Sequence, residues 1–117
     1  MPSTPEPMAG EVWTILFDPV VGREQGGLRP GLILSKDIYN ATPHELRIVV
    51  PITGTNRSVA THLPIEPPEG GLTKASVIMC EQVTAQSLLR FRKKRGEVSQ
   101  DTLDQVQAVV GMFIDRR

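Results

Sequence analysis

Five apolar runs of four to seven residues, cut apart by glycine and proline, restrict what this chain can fold into. Glu11–Phe17 (EVWTILF), Gly31–Ser35 (GLILS), Leu46–Ile52 (LRIVVPI), His62–Ile65 (HLPI) and Ala75–Cys80 (ASVIMC) are too short for stable helices and right for strands. Asp18-Pro19 closes the first run. Pro51 would remove a hydrogen bond from a central ladder, so it belongs at a strand end or edge. Thr53–Ser58 breaks the third run, and the prolines and glycines of Glu66–Gly71 make a turn or loop between the last two. Short strands at this spacing predict a mainly β chain, a small antiparallel barrel or sandwich.

The end of the chain changes period. After Ser99, a good helix cap, Leu103, Val106, Val110 and Phe113 recur at three- and four-residue intervals, flanked by Val109 and Ile114. Asp101 and Asp104 stand near the positive end of that dipole. This predicts one amphipathic helix packed on the sheet. At 117 residues the chain is a single domain, expected over 10–117. It buries only about two-thirds of the surface its unfolded form exposes. With 4% aromatic residues the core is aliphatic and modest, which leaves room for a second copy to add stability. Pro2, Pro5 and Pro7 disfavour regular structure in residues 1–9, read as a disordered tail.

Thirteen basic and thirteen acidic residues balance, which argues against coating nucleic acid by bulk charge. The single cysteine, Cys80, lies in an apolar run; it excludes an internal disulfide and a CxxC metal site and reads as a small buried hydrophobe. The start of the chain lacks the basic and apolar segments of a secretory signal, and no run approaches eighteen apolar residues. A cytoplasmic location is expected.

Chemistry concentrates in Gly22–Gly31, GREQGGLRPG, read as a long loop joining the first two strands. Gly22, Gly26 and Gly27 permit backbone angles that other residues avoid, so the loop can fold over a ligand. It matches neither the P-loop nor the dinucleotide-binding pattern, which argues against a nucleotide cofactor. Pro30 biases Arg29 toward an extended conformation and fixes where the guanidinium leaves the second strand, either as a phosphate fork or as a surface partner of Glu24. Thr53 ends the third strand and reaches the same cleft if the two strands are neighbours.

Arg90, Arg92, Lys93, Lys94 and Arg95 place five of the thirteen basic residues within six positions. As a strand, Arg90, Arg92 and Lys94 face one way, either as a solvated face or as a ridge able to follow a phosphate backbone. His44 and His62 are too far apart in sequence to suggest a metal site and lie in no nucleophile motif.

Taken together, Gly10–Ser35, VVPIT at Val49–Thr53 and ASVIMCEQV at Ala75–Val83 resemble the MazF/PemK family of toxin endoribonucleases. The likeness spans nearly the whole chain from Gly10. It implies an SH3-like barrel with a C-terminal helix, a homodimer, and cleavage of single-stranded RNA at short sequences with neither metal nor cofactor. It further implies an antitoxin that lays an extended, disordered acidic segment over the cleft. The family's principal catalytic residues fall on Arg29 and Thr53, and its site-shaping loop positions on Glu24 and Gln25.

In such chemistry the RNA 2′-hydroxyl is the nucleophile. The protein has to accept its proton, stabilise charge on phosphorus and protonate the leaving oxygen. Arginine, with a pKa above about 12, suits the electrostatic part, which leaves Glu24 as candidate base. Gly26 and Gly27 would close over the strand, and Arg57, Arg90 and Arg92 would contact substrate. Two readings from other classes stay open at this point: a CcdB-like toxin that shares the barrel, binds DNA gyrase and cuts nothing, and an inactive barrel serving protein interaction.

Overall fold

The structure, a computed structural model, describes residues 6–17, 26–40, 45–55 and 58–114. Among these residues it holds seven strands in one antiparallel sheet and a C-terminal helix. The strands are β1 (Glu11–Phe17), β2 (Gly27–Ile33), β3 (Leu46–Thr53), β4 (His62–Ile65), β5 (Ser76–Met79), β6 (Thr84–Ser87) and β7 (Phe91–Glu97). The helices are a single turn, α1 (Asp37–Asn40), and α2 (Gln100–Ile114). The sheet runs β4-β5-β3-β2-β1-β7, with β6 paired to the outer side of β3. Mainly β with one C-terminal helix, as expected, the sheet nevertheless stays open. Its ends, β4 and β7, are not paired; the 3-10 turn Glu69–Gly71 that follows β4 packs against β7 instead.

Alternate residues of the central strands enter two apolar clusters on opposite faces. Val12, Leu32, Val50 and Ile52 join Leu103 and Val106 of α2. Trp13, Ile15, Phe17, Ile33 and Val49 join Phe91, whose ring meets that of Trp13 edge-on at 6.0 Å. Burial on both faces is why these strands read as nearly continuous apolar runs rather than as alternation. Cys80 is fully buried, and that burial pushes its thiol up to about 11, which suits an inert packing role.

Three sequence expectations change. First, β2 starts at Gly27 rather than Gly31: Gly27–Pro30 pair with Phe17, Leu16, Ile15 and Thr14 of β1, so half of the expected loop is strand. Second, the tail reaches less far than residue 9. Pro7 is buried and its carbonyl accepts the Nε–H of buried Arg47 at 2.7 Å, while the Met8 amide donates to Glu11 Oε1 at 3.0 Å. Third, α2 buries Leu103 and Val106 and packs Val109 and Val110, but Phe113 is 46% and Ile114 76% exposed. The helix runs past the edge of the core.

Pro51 lies inside the central strand β3, two residues before its end, rather than at a strand end or edge as expected. β3 pairs with β6 from Leu46 to Val49 and with β5 from Ile52, so Pro51 lies where one partner strand gives way to the next. The start of α2 is held across the fold. Ser99 Oγ accepts the Thr102 amide at 3.1 Å, and Glu69 accepts from the Ser99 amide at 2.9 Å and the Thr102 hydroxyl at 2.6 Å. Glu69 thus supplies, from thirty residues away, the carboxylate that a capping box takes from its own helix.

Candidate active site

β2 and β3 pair only as far as Gly31 opposite Pro51. The ladder ends at that pair, and the strands part. A groove of about 220 Å³ opens there, with Arg29 and Pro30 on one side and Ile52, Thr53 and Gly54 on the other. Arg29 lies two residues before Gly31 on β2 and Thr53 two residues after Pro51 on β3, and both line this groove.

Both side chains are oriented before any ligand arrives. Arg29 Nε donates to the carbonyl of buried Gly26 at 2.9 Å, which leaves the two Nη groups, the fork that suits a phosphate, for the groove. Thr53 is buried, and its Oγ1 accepts the Thr55 amide at 3.3 Å, so the hydroxyl proton is left to donate. A guanidinium and a hydroxyl donor converging on one groove suit an anion that gains charge during reaction.

The remaining expected residues are placed differently. Gly27 belongs to β2, opposite Phe17, and Gly26 acts on Arg29 through its carbonyl. Arg90 ends a 3-10 turn, and Arg92 Nη1 donates to the Leu89 carbonyl at 2.7 Å; neither lines the groove. The basic ridge does not form as expected. Two register shifts against β1 break the alternation of β7, and Lys94 pairs with Glu11 at 3.0 Å. Burial alone would raise the Glu11 carboxyl, but hydrogen bonds from the Trp13 indole, the Met8 amide and Lys94 outweigh it and hold it below the usual range. Glu24, Gln25, Arg57 and His44 lie outside the described residues.

His62 Nε2 meets Glu81 Oε2 at 2.8 Å, and Glu81 also accepts from the Thr61 hydroxyl at 2.8 Å. Among the described residues, no three His, Cys, Asp or Glu side chains gather as metal ligands would. No helix among them is long and apolar enough to cross a membrane.

Two groove residues were missed by sequence reasoning, Lys74 and Arg95. Arg95 was visible only as one of five basic residues within six positions. Its position depends on a bulge that arises from pairing with β1, and no local signal announces it.

Comparison with known proteins gives a consistent result. The family model for the PemK-like, MazF-like toxins of type II toxin–antitoxin systems matches residues 8–114. The Endoribonuclease MazF of Staphylococcus saprophyticus is 33% identical over 107 residues, covering 90% of this chain and 88% of that protein. The crystal structure of MazF from Deinococcus radiodurans superposes with a TM-score of 0.80 at 26% identity, covering 92% of this chain and 96% of that one. A MazE-MazF crystal structure from the same organism matches with a TM-score of 0.76 at 25% identity, over 96% of this chain and 98% of that one.

Proposed function

Since the chain belongs to the PemK-like, MazF-like toxins of type II toxin–antitoxin systems, we propose that it is an endoribonuclease that cuts single-stranded RNA at short sequences without a metal ion. The observation that carries this reading is the convergence of Arg29 and Thr53 on one groove at the parted end of β2 and β3. A binding module of the gyrase-poisoning kind has no need of such a pair.

In the proposed reaction the RNA 2′-oxygen attacks the adjacent phosphorus, the bond from phosphorus to the 5′-oxygen breaks, and the products are a 2′,3′-cyclic phosphate and a 5′-hydroxyl. Arg29 clamps the phosphate and stabilises its growing charge, and Thr53 donates to one of its oxygens. A guanidinium surrenders its proton too reluctantly to serve as base at neutral pH, so the proton of the 2′-hydroxyl is assigned to Glu24, and the departing 5′-oxygen takes its proton from water to give the 5′-hydroxyl. Gln25 and Arg57 are proposed to contact the substrate.

The working form in this proposal is a homodimer. Apolar Leu89, Met112 and Ile114, all more than 70% exposed, are surface that a second copy could cover. A MazE-MazF complex among the similar structures supports neutralisation by an antitoxin, here an extended acidic segment laid over the cationic groove.

The test is to incubate purified protein with a long RNA, with and without a chelator, and to identify the ends of the fragments. Cyclic phosphate ends in the presence of chelator, together with resistance of an RNA carrying a single 2′-deoxy substitution at the cut, are the expected results. Intact RNA would sink the proposal.

A further inference from the structure

We propose that Arg95 and Lys74 bind the phosphates that flank the scissile one, making the groove a three-cation track for the RNA backbone. This inference rests on the endoribonuclease reading for its ligand, but its geometry stands apart from Arg29 and Thr53.

Arg95 is an inserted residue. In the β1–β7 ladder Val12 faces Gly96 and Trp13 faces Lys94, so Arg95 has no residue opposite it. Such a bulge re-aims a side chain, and here it turns Arg95 into the groove. The bulge is clamped from behind. Gly71, at φ +70, lies so close that a Cβ on it would stand 1.9 Å from the Arg95 carbonyl oxygen, and a Cβ on Gly96 would stand 2.6 Å from the Gly71 nitrogen. The same contact anchors the segment that leads through Leu72 and Thr73 to Lys74 on the groove wall. Lys74 lies across the Gly54 backbone, its Nζ 2.9 Å from where a Cβ on Gly54 would be.

Charge distinguishes these two cations from their neighbours. Lys94, adjacent to Arg95, is neutralised by Glu11 at 3.0 Å and approached by Glu97 at 4.0 Å. Arg95 makes one long hydrogen bond, from Nη1 to the Thr14 hydroxyl at 3.4 Å. Among the described residues no carboxylate lines the groove that Arg29, Lys74 and Arg95 share. In a chain with as many acids as bases, three cations gathered with no carboxylate among the described lining residues create a local positive field that favours a run of phosphates.

The experiment measures binding of a fluorescent, fully 2′-O-methylated RNA, which cannot be cut by 2′-attack, to the full chain and to Arg95→Gln, Lys74→Gln and Arg95→Lys across a salt series. Each glutamine variant is expected to bind about tenfold more weakly near physiological salt, the loss of one charge-assisted contact. Each should also flatten the slope of log affinity against log salt by about 0.7, the value for one phosphate contact on a single strand. Arg95→Lys should restore the slope, which a purely structural role for Arg95 would not produce. In parallel, both glutamine variants should raise KM on cleavable RNA with kcat nearly unchanged. Slopes and KM equal to those of the unaltered protein, with thermal stability also equal, overturn the proposal. If the unaltered protein binds RNA with the expected slope changes in its variants yet cuts nothing, the endoribonuclease reading fails while the phosphate track stands.

Discussion

Arg29 and Thr53 line one groove at the end of the β2–β3 ladder, whose last pair is Gly31 with Pro51. Each sits in a strand, Arg29 in β2 and Thr53 at the end of β3. One is held by the Gly26 carbonyl and the other by the Thr55 amide, so the pair is organised before substrate arrives. That arrangement is what electrostatic catalysis requires, because donors already aimed at a developing charge need no reorganisation.

Removing either donor should therefore be costly and specific. Arg29→Ala and Thr53→Val are each expected to lower kcat by about 10²- to 10³-fold. In the proposed mechanism the two act on one phosphate, so the double variant should lose far less than the product of the single effects. Thermal unfolding by circular dichroism should show all three folded. Cleavage at near-normal rate by Arg29→Ala would remove the mechanism.

The base can be tested separately. Glu24→Gln retains size and polarity but cannot accept the 2′-hydroxyl proton, so cleavage should fall by about 10²- to 10⁴-fold with RNA binding preserved. A variant that cuts RNA as fast as the unaltered protein assigns the base elsewhere.

Gly71→Ala probes the clamp behind Arg95. The added methyl would collide with the Arg95 carbonyl in a backbone conformation that alanine disfavours. A loss of about 2–3 kcal/mol in denaturant unfolding is expected, as for overpacking combined with a positive φ. Gly27→Ala shares the positive φ but meets nothing within 4 Å, so it should cost less. An equal loss at both positions would argue that strain, not the close approach, sets the effect.

Glu69 makes the stability of α2 sensitive to acid. Its carboxyl is held below the ordinary value of 4.5, first by the Thr102 hydroxyl and further by Ser99, against a smaller opposing effect of burial. A depressed folded value means that the contribution is present above pH 4.5 and is lost as pH falls through the folded value. Glu69→Gln should cost about 1 kcal/mol at neutral pH, typical of a lost cap. The gap in Tm between the two proteins should close on acidification below pH 4.5; a gap that stays constant would dissociate the carboxylate from the cap.

Legibility varied along the chain for physical reasons. Glu11–Phe17 was read to its boundaries because β-branched and aromatic residues favour a strand locally and Asp18-Pro19 ends it. The start of β2 was not, because Gly27-Leu28-Arg29-Pro30 carries weak local strand preference and becomes strand only by pairing with β1. The period of α2 showed which side is apolar, yet it could not show that the supporting sheet ends before Phe113.

The order of residues by itself determined the mainly β class, the terminal helix and, through its motifs, the family, since composition, period and motif are properties of neighbouring positions. Only the tertiary structure decided that Arg95 and Lys74 join Arg29 and Thr53 at the groove while Arg90 and Arg92 do not. A bulge and a glycine contact between segments more than twenty residues apart set those directions, and cross-strand packing of that kind leaves no trace in local sequence.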